Sequence, residues 1–233
     1  MSAHKENWIK PIQILFSVSV VLIACHILGL TIFEWSSHWE RLFHLDFEAN
    51  VPTWFSSFVW ILNALAAYRC SQLSSKISER NTWMVLSFFL LFLSCDEVAS
   101  LHENVTLFLE KYLLRSTFLR NLDVRSWPIL LGPLVVPFLL WAIWRLRECF
   151  KNSAEALRWF VLGGSIFLMS CFVMELLSIF MVGHKQLLVI EVVIEESLEM
   201  MGAIILLLGF LVHLRVLEEK SDSERLEPKI CRV

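Results

Sequence analysis

The stretch from Leu187 to Leu214, LLVIEVVIEESLEMMGAIILLLGFLVHL, is apolar over a length that crosses a bilayer, yet it holds Glu191, Glu195, Glu196 and Glu199. A helix needs roughly 20 residues, at 1.5 Å each, to cross about 30 Å of hydrocarbon. An ionisable side chain at that depth costs about 2.5 to 3.5 kcal/mol on insertion scales unless it faces a protein interior and finds partners. The segment therefore reads as a membrane helix whose acidic stripe turns toward other helices. A second apolar run ends in the same way, with Asp96-Glu97-Val98-Ala99-Ser100-Leu101-His102-Glu103. The two stretches together place seven carboxylates and a histidine at membrane depth.

The composition of the whole chain agrees. Hydrophobic residues make up 57%, with 18 Phe and 10 Trp in 233 residues, more apolar than a soluble domain of this length. The expected class is all-α, a polytopic membrane helical bundle in one domain over residues 1–217. The charged tail over residues 218–233 is expected to be disordered. A net charge of −3, without a basic surface interleaved with aromatics, speaks against a nucleic-acid partner and leaves membrane lipids.

About six spans are predicted, near Ile12 to Phe33, Pro52 to Tyr68, Trp83 to His102, Trp127 to Trp144, Trp159 to Met181 and Leu187 to Leu214. Trp8, Trp35, Trp39, Trp54, Trp83, Trp127, Trp144 and Trp159 fall at or near span ends, where indole rings favour the headgroup region. With both termini inside, 14 Lys and Arg lie on the cytoplasmic side and 6 outside, the bias expected of retained loops. Four of the six outside charges, Lys111, Arg115, Arg120 and Arg125, sit in one expected loop from Asn104 to Ser126. In this orientation both acidic stretches lie in the outer half of the membrane, joined there by Glu175 and by His26.

Helical phase, about 100° per residue, sorts these groups. Asp96, Ser100 and Glu103 share a stripe with His102 near its edge, and Glu97 turns away. Glu191, Glu195, Glu199 and Gly202 share another, with Glu196 at the margin. The phase predicts that Asp96→Asn and Glu195→Gln remove function and that Glu97→Gln leaves it. Carboxylates so close in a poorly solvated site cannot all be ionised at neutral pH, so they share protons or bind cations.

Three readings follow. In the first, Asp96, His102, Glu103, Glu175, Glu191, Glu195 and Glu199 supply ligands for Zn, Mn or Fe. Asp96, Glu103 and Glu195 then take part in chemistry on a lipid or other membrane substrate. In the second, shared protons drive a proton- or cation-coupled carrier or channel. In the third, the polar network only holds helices together. Whether the protein is an enzyme stays open at this point. The paired Glu-x-x-His of di-iron bundles, His-Glu-x-x-His and Cys-x-x-Cys are all missing.

Other features read as structural. Pro128, Pro133 and Pro137 are expected to bend or break the fourth span. Gly163, Gly164 and Gly202 are expected to allow close helix packing. His184 reads as a turn residue. Six dispersed cysteines suggest neither disulfides nor a zinc knuckle. Leu22-Ile23-Ala24-Cys25 resembles a lipoprotein cleavage box, but the apolar run continues past it, which favours an uncleaved anchor.

The segment Leu45 to Ser57 (LDFEANVPTWFSS), the Asp-Glu-x4-His-Glu motif of Asp96 to Glu103 and the Glu-Glu-x2-Glu-Met-x-Gly motif of Glu195 to Gly202 resemble a family of bacterial multipass inner-membrane proteins of uncharacterised function. The resemblance implies residence in a bacterial inner membrane and draws attention to Asp46 and Glu48 in the first outer loop. Ser94, Asp96 and His102 are also similar to part of the zinc site of alkaline-ceramidase-type hydrolases. The His-x-x-x-His pair those enzymes carry in a later span is missing, so their activity is not carried over.

Overall fold

In the computed structural model the described residues are 6–32, 37–112, 127–181 and 183–230, and all their regular structure is helical. Lys5, Phe33, Trp35, Arg115, Arg120, Arg125, Cys231 and Arg232, used above, lie outside them. The helices are α1 (Glu6–Thr31), α2 (Ser37–Phe43), α3 (Val51–Leu73), α4 (Ile77–Ala99) and α5 (Leu101–Tyr112). They are followed by α6 (Trp127–Cys149), α7 (Ala154–Leu168), a π-helical segment (Met169–Met174), α8 (Glu175–Met181) and α9 (Lys185–Ile230).

Among the described residues, five helical stretches are long and apolar enough to cross a membrane: Ile9–Thr31, Ile77–Ala99, Trp127–Cys149, Ala154–Met181 and Lys185–Ser223. The expected second span, α3, has the length, at 23 residues, but Ser56, Ser57, Asn63 and Arg69 hold its apolarity down. Its polar groups are used inside the bundle. Asn63 donates to the Val59 and Ala203 carbonyls at 3.0 and 3.1 Å, and the Ser57 hydroxyl lies 2.8 Å from that of Ser94. Interhelical hydrogen bonds of this kind fasten helices where no water competes.

α9 is the axis. Of its apolar window 61% is buried, against 17% for α6 and for α7 to α8, so the latter present their sides to lipid. Phe180 and Leu134 are 83% and 76% exposed on that outer surface. α9 packs on α1, α3 and α7, and α3 pairs with α4. Met200, Ala203, Ile204 and Phe210 of α9 meet Val59, Trp60 and Ala67 of α3 and Trp83 and Leu90 of α4 in one core.

The α7–α9 contact is made by glycines. A Cβ on Gly202 would stand 2.7 Å from the Phe167 backbone nitrogen. One on Gly209 would stand 2.8 Å from that of Phe160, and one on Gly163 would be 2.8 Å from the Gly202 carbonyl oxygen. Gly209 adds to the set expected from sequence, whereas Gly164 has only an ordinary contact with Leu206 at 3.8 Å.

Several expected boundaries shift. α3 starts on an Asn50 cap, whose side chain accepts from the Thr53 N–H, with Pro52 in the first turn where its missing donor costs nothing. The third span stops at Ala99 rather than His102, because Ser100 takes a left-handed conformation (φ 44°) and a new helix begins. The stretch expected as a loop from Asn104 is helical to Tyr112. α6 runs unbroken through Pro133 and Pro137. The segment expected to be a disordered tail continues α9 as helix to Ile230, with an Arg215–Glu219 pair at 2.9 Å across the junction.

Basic side chains gather at the end of the bundle that the charge bias assigns to the cytoplasm. Arg69 faces Glu218 at 3.9 Å, Lys76 pairs with Glu79 at 2.8 Å, and Arg145 donates to Thr82 and to the Ser78 carbonyl at 3.1 and 2.8 Å. The opposite, outer end holds residues 44–50, Ser100 and the turn at Gly183.

The glycine contacts make a testable statement about stability. Gly163→Ala and Gly202→Ala should each destabilise the bundle by about 1 to 3 kcal/mol through overpacking. Gly132→Ala, where an added Cβ meets nothing within 4 Å, should be neutral or slightly stabilising. Thermal unfolding of the three variants in detergent is the measurement.

Candidate functional site

The left-handed turn at Ser100 is what assembles the first part of the site. It redirects the chain so that α5 begins beside the last turn of α4, and the Asp96 carboxylate receives the new helix. One oxygen accepts the His102 backbone N–H and the other faces the His102 Nδ1, both at 2.8 Å. This pair fixes the ring and leaves Nε2 as its second working nitrogen, the arrangement by which carboxylates orient catalytic or metal-ligating histidines.

The imidazole stands edge-on to Trp127 with ring centroids 5.1 Å apart, and the Trp127 indole N–H donates to Glu175 at 3.2 Å. Trp127 thus ties the start of α6 to α5 and α8, resting also on Phe172 at 5.1 Å. The π-helical segment just before Glu175 supplies two more contacts to α9. Ser170 donates to the Glu195 carbonyl at 2.7 Å, and the Cys171 thiol donates to the Glu199 carboxylate at 3.3 Å. Widening a helix by one residue in a turn re-aims side chains, and such segments are frequent at functional sites.

The remaining carboxylates form a continuous group around this frame. Glu195 hydrogen-bonds Glu191 and lies in the field of Glu175 and Glu199. Glu196 feels Glu199, Glu97, Asp46 and Glu48. Glu48 reaches the Ser100 hydroxyl and faces Glu103, His102 and Asp96. Glu191 is buried, at 2% exposure.

One sequence expectation is corrected here. Glu97 does not turn away: it hydrogen-bonds Ser56 of α3 and its nearest charged neighbours are Glu199, Glu48 and Asp96. The phase argument allowed α4 one packed face, but α3 runs along one side of it and α5 folds back beside its last turn, so Glu97 reaches Ser56 of α3 while Asp96 reaches His102 of α5. The break at Ser100 also removes the common stripe of Asp96, Ser100 and Glu103, since a phase cannot run through a left-handed residue. His26 stands apart from the acids, with its ring 4.9 Å from that of His44. His184 is an exposed turn residue whose N–H donates to the Met181 carbonyl at 2.9 Å.

Of the candidate residues, Asp96, His102, Glu175, Glu191, Glu195 and Glu199 are thus linked through shared contacts, with Glu103 in the field of His102. Sequence reading missed Ser170, Cys171 and Trp127. The first two lacked any signal, because the π-helical segment has no recognisable pattern. Among the described residues, no three His, Cys, Asp or Glu side chains converge with the geometry of a metal site.

Electrostatics outside the membrane spans follow from these contacts. Burial opposes charge on His102, but the Asp96 hydrogen bond and the fields of Asp96, Glu103 and Glu199 outweigh it and hold the imidazole above its ordinary value of 6.5. Burial likewise lifts the Glu48 carboxyl above its usual range, against the lowering effect of the Ser100 hydroxyl. A histidine whose folded value is raised stabilises the fold fully below its unfolded value, and this contribution is lost as pH rises through the folded one. In NMR titration, His102 should titrate above 6.5 in the native chain and lower in Asp96→Asn. The native protein should lose more thermal stability than that variant between about pH 6 and pH 8.

A family model described as a domain of unknown function, DUF8692, matches residues 14–214. No curated protein and no solved structure matches the chain. The matched region covers every helix from α1 to the middle of α9, including all the residues of the acidic group. The chain belongs to the DUF8692 family.

Proposed function

We propose that this is a multi-pass protein of a bacterial inner membrane whose acidic–histidine site, in the outer half of the bilayer, carries out metal-assisted acid–base chemistry on a lipid or another membrane substrate. The observation that carries the reading is the Asp96–His102 pair, held by two 2.8 Å contacts beside Glu103 and Glu199. A bare structural network has no need of an imidazole oriented at one nitrogen with the other left for a ligand or substrate.

The donor set suits a divalent ion of borderline or hard character, Zn, Mn or Fe. His102 through Nε2 and the carboxylates of Glu199, Glu195 and Glu175 would have to draw closer together to hold it, since they do not converge on one point here. Such an ion supplies Lewis acidity and an activated water. Asp96 orients His102 and stabilises its protonated form. Glu195, sharing a proton with Glu191, is placed to give or take one during turnover.

A proton- or cation-coupled carrier is the second reading. It is favoured by the row of carboxylates that leads from Glu48 at the outer end through Glu97 and Glu196 to Glu199. Metal analysis of the purified protein separates the two. Under the first reading it retains a divalent ion in stoichiometric amount, and His102→Asn and Glu199→Gln each weaken that binding about 10- to 100-fold, as does Asp96→Asn. Glu97→Gln, against the phase-based expectation, should also reduce function. A protein that binds no divalent ion but moves protons in liposomes, with Glu97→Gln and Glu196→Gln abolishing the flux, supports the carrier.

A further inference from the structure

Residues 44–50 join α2 to α3 across the outer end of the acidic group, and the segment is pinned at both margins. On one side the Trp39 indole N–H donates to the Cys25 carbonyl at 2.9 Å, folding α2 back on α1. On the other, the Asn50 amide donates to the His44 carbonyl at 2.5 Å and the Thr53 hydroxyl to that of Phe47 at 3.0 Å. Ala49 sits between at φ 57°, a left-handed conformation that a residue with a Cβ rarely adopts. The segment brings Asp46 into the field of Glu196, and Glu48 to Ser100, Glu97 and His102.

Its middle is held by a histidine of α1. The Leu45 N–H donates to His26 Nδ1 at 3.1 Å, and the Phe43 carbonyl is the ring's other backbone neighbour. A backbone N–H only donates, so the closed segment requires a lone pair on Nδ1 and hence a neutral ring. His26 is 1% exposed, and the His44 ring stands edge-on to it while stacking on Phe47 at 4.1 Å. Among the described residues, the charged or titratable groups facing this pair include Asp46, from the segment itself, and Glu40, from α2. From α9, Leu188, Val189 and Val192 complete the lining of a cavity of about 310 Å³ shared with both rings, so protons have a way in.

We infer that residues 44–50 form an acid-labile strap over the outer mouth of the site, closed while His26 is neutral and released when His26 takes up a proton. A protonated imidazole has two donors and no acceptor. The Leu45 N–H then loses its partner and meets another N–H, which leaves a buried donor unsatisfied. A second positive charge on His44, one ring away, adds repulsion that Glu40 and Asp46 offset only in part. Burial already holds His44 below its ordinary value despite those carboxylates, so it resists taking up a charge beside His26. Closure is complete at high pH and weakens as pH falls through the His26 midpoint, by up to tenfold per unit for one linked proton. The strap does not depend on which chemistry the site performs.

The test is hydrogen exchange by mass spectrometry on the full-length protein in nanodiscs, corrected for intrinsic rates, between about pH 7.5 and pH 5. Peptides covering 44–48 should lose about tenfold or more in protection on acidification, while α3 peptides keep theirs. His26→Asn retains an acceptor near the Nδ1 position without titrating and should abolish the pH dependence. His44→Phe preserves the ring contacts and should only move the midpoint. Unchanged protection across the range overturns the inference. So does the same acid loss in His26→Asn, or equal loss in α3, which would signal general unfolding.

Discussion

Ionisable groups inside hydrocarbon have to be enclosed by protein, and the arrangement of this bundle follows from that requirement. Acidic residues on α4, α8 and α9 can be tolerated at their depth only if other helices shield them from lipid. α3 does much of the shielding: its serines and Asn63 make it less apolar than the five membrane-length helices, and it is more buried along its length than α4 or α6. Membrane helices lack a strong hydrophobic drive to associate, so close van der Waals packing and interhelical hydrogen bonds carry the load. The glycines of α7 and α9 provide the first, and Asn63, Ser57 and Ser87 the second.

The same enclosure sets the electrostatics of the acidic group. A carboxylate group assembled in low dielectric has to share protons or take up a cation, and the imidazole of His102 enters it already oriented by Asp96. Two local departures from regular helix make this possible. Ser100 ends α4 early enough to bring His102 back beside Asp96, and the π-helical segment turns Ser170 and Cys171 onto Glu195 and Glu199. Each is a backbone irregularity placed beside the acids, where a rigid frame on either side holds it.

Much of the architecture was legible in the chain. Apolar runs of membrane length located the long helices, because backbone groups in lipid must bond within their own segment. Glutamates within those runs marked where the acidic side chains gather, because ionisable groups there have to turn toward protein. Glycines at Gly163 and Gly202 marked a close helix contact. Phase identified Asp96, Glu195 and Glu199 as inward-facing. It failed for Glu97, since a single stripe presumes one packed face and the outer turn of α4 has neighbours on two sides.

What the sequence by itself determined is the all-helical class and the long apolar helices that carry the acidic residues, set by local hydropathy over 1.5 Å per residue. Tertiary structure alone decided the axial position of α9, the use of α3 as a polar inner wall, the pairing of Asp96 with His102 and the clasp of His26 on Leu45. Those outcomes depend on φ at Ser100, on one widened helical turn, and on contacts such as Asn63 with Ala203, 140 residues apart. Periodicity describes one helix at a time, and the meeting of separate helices is settled by packing in space.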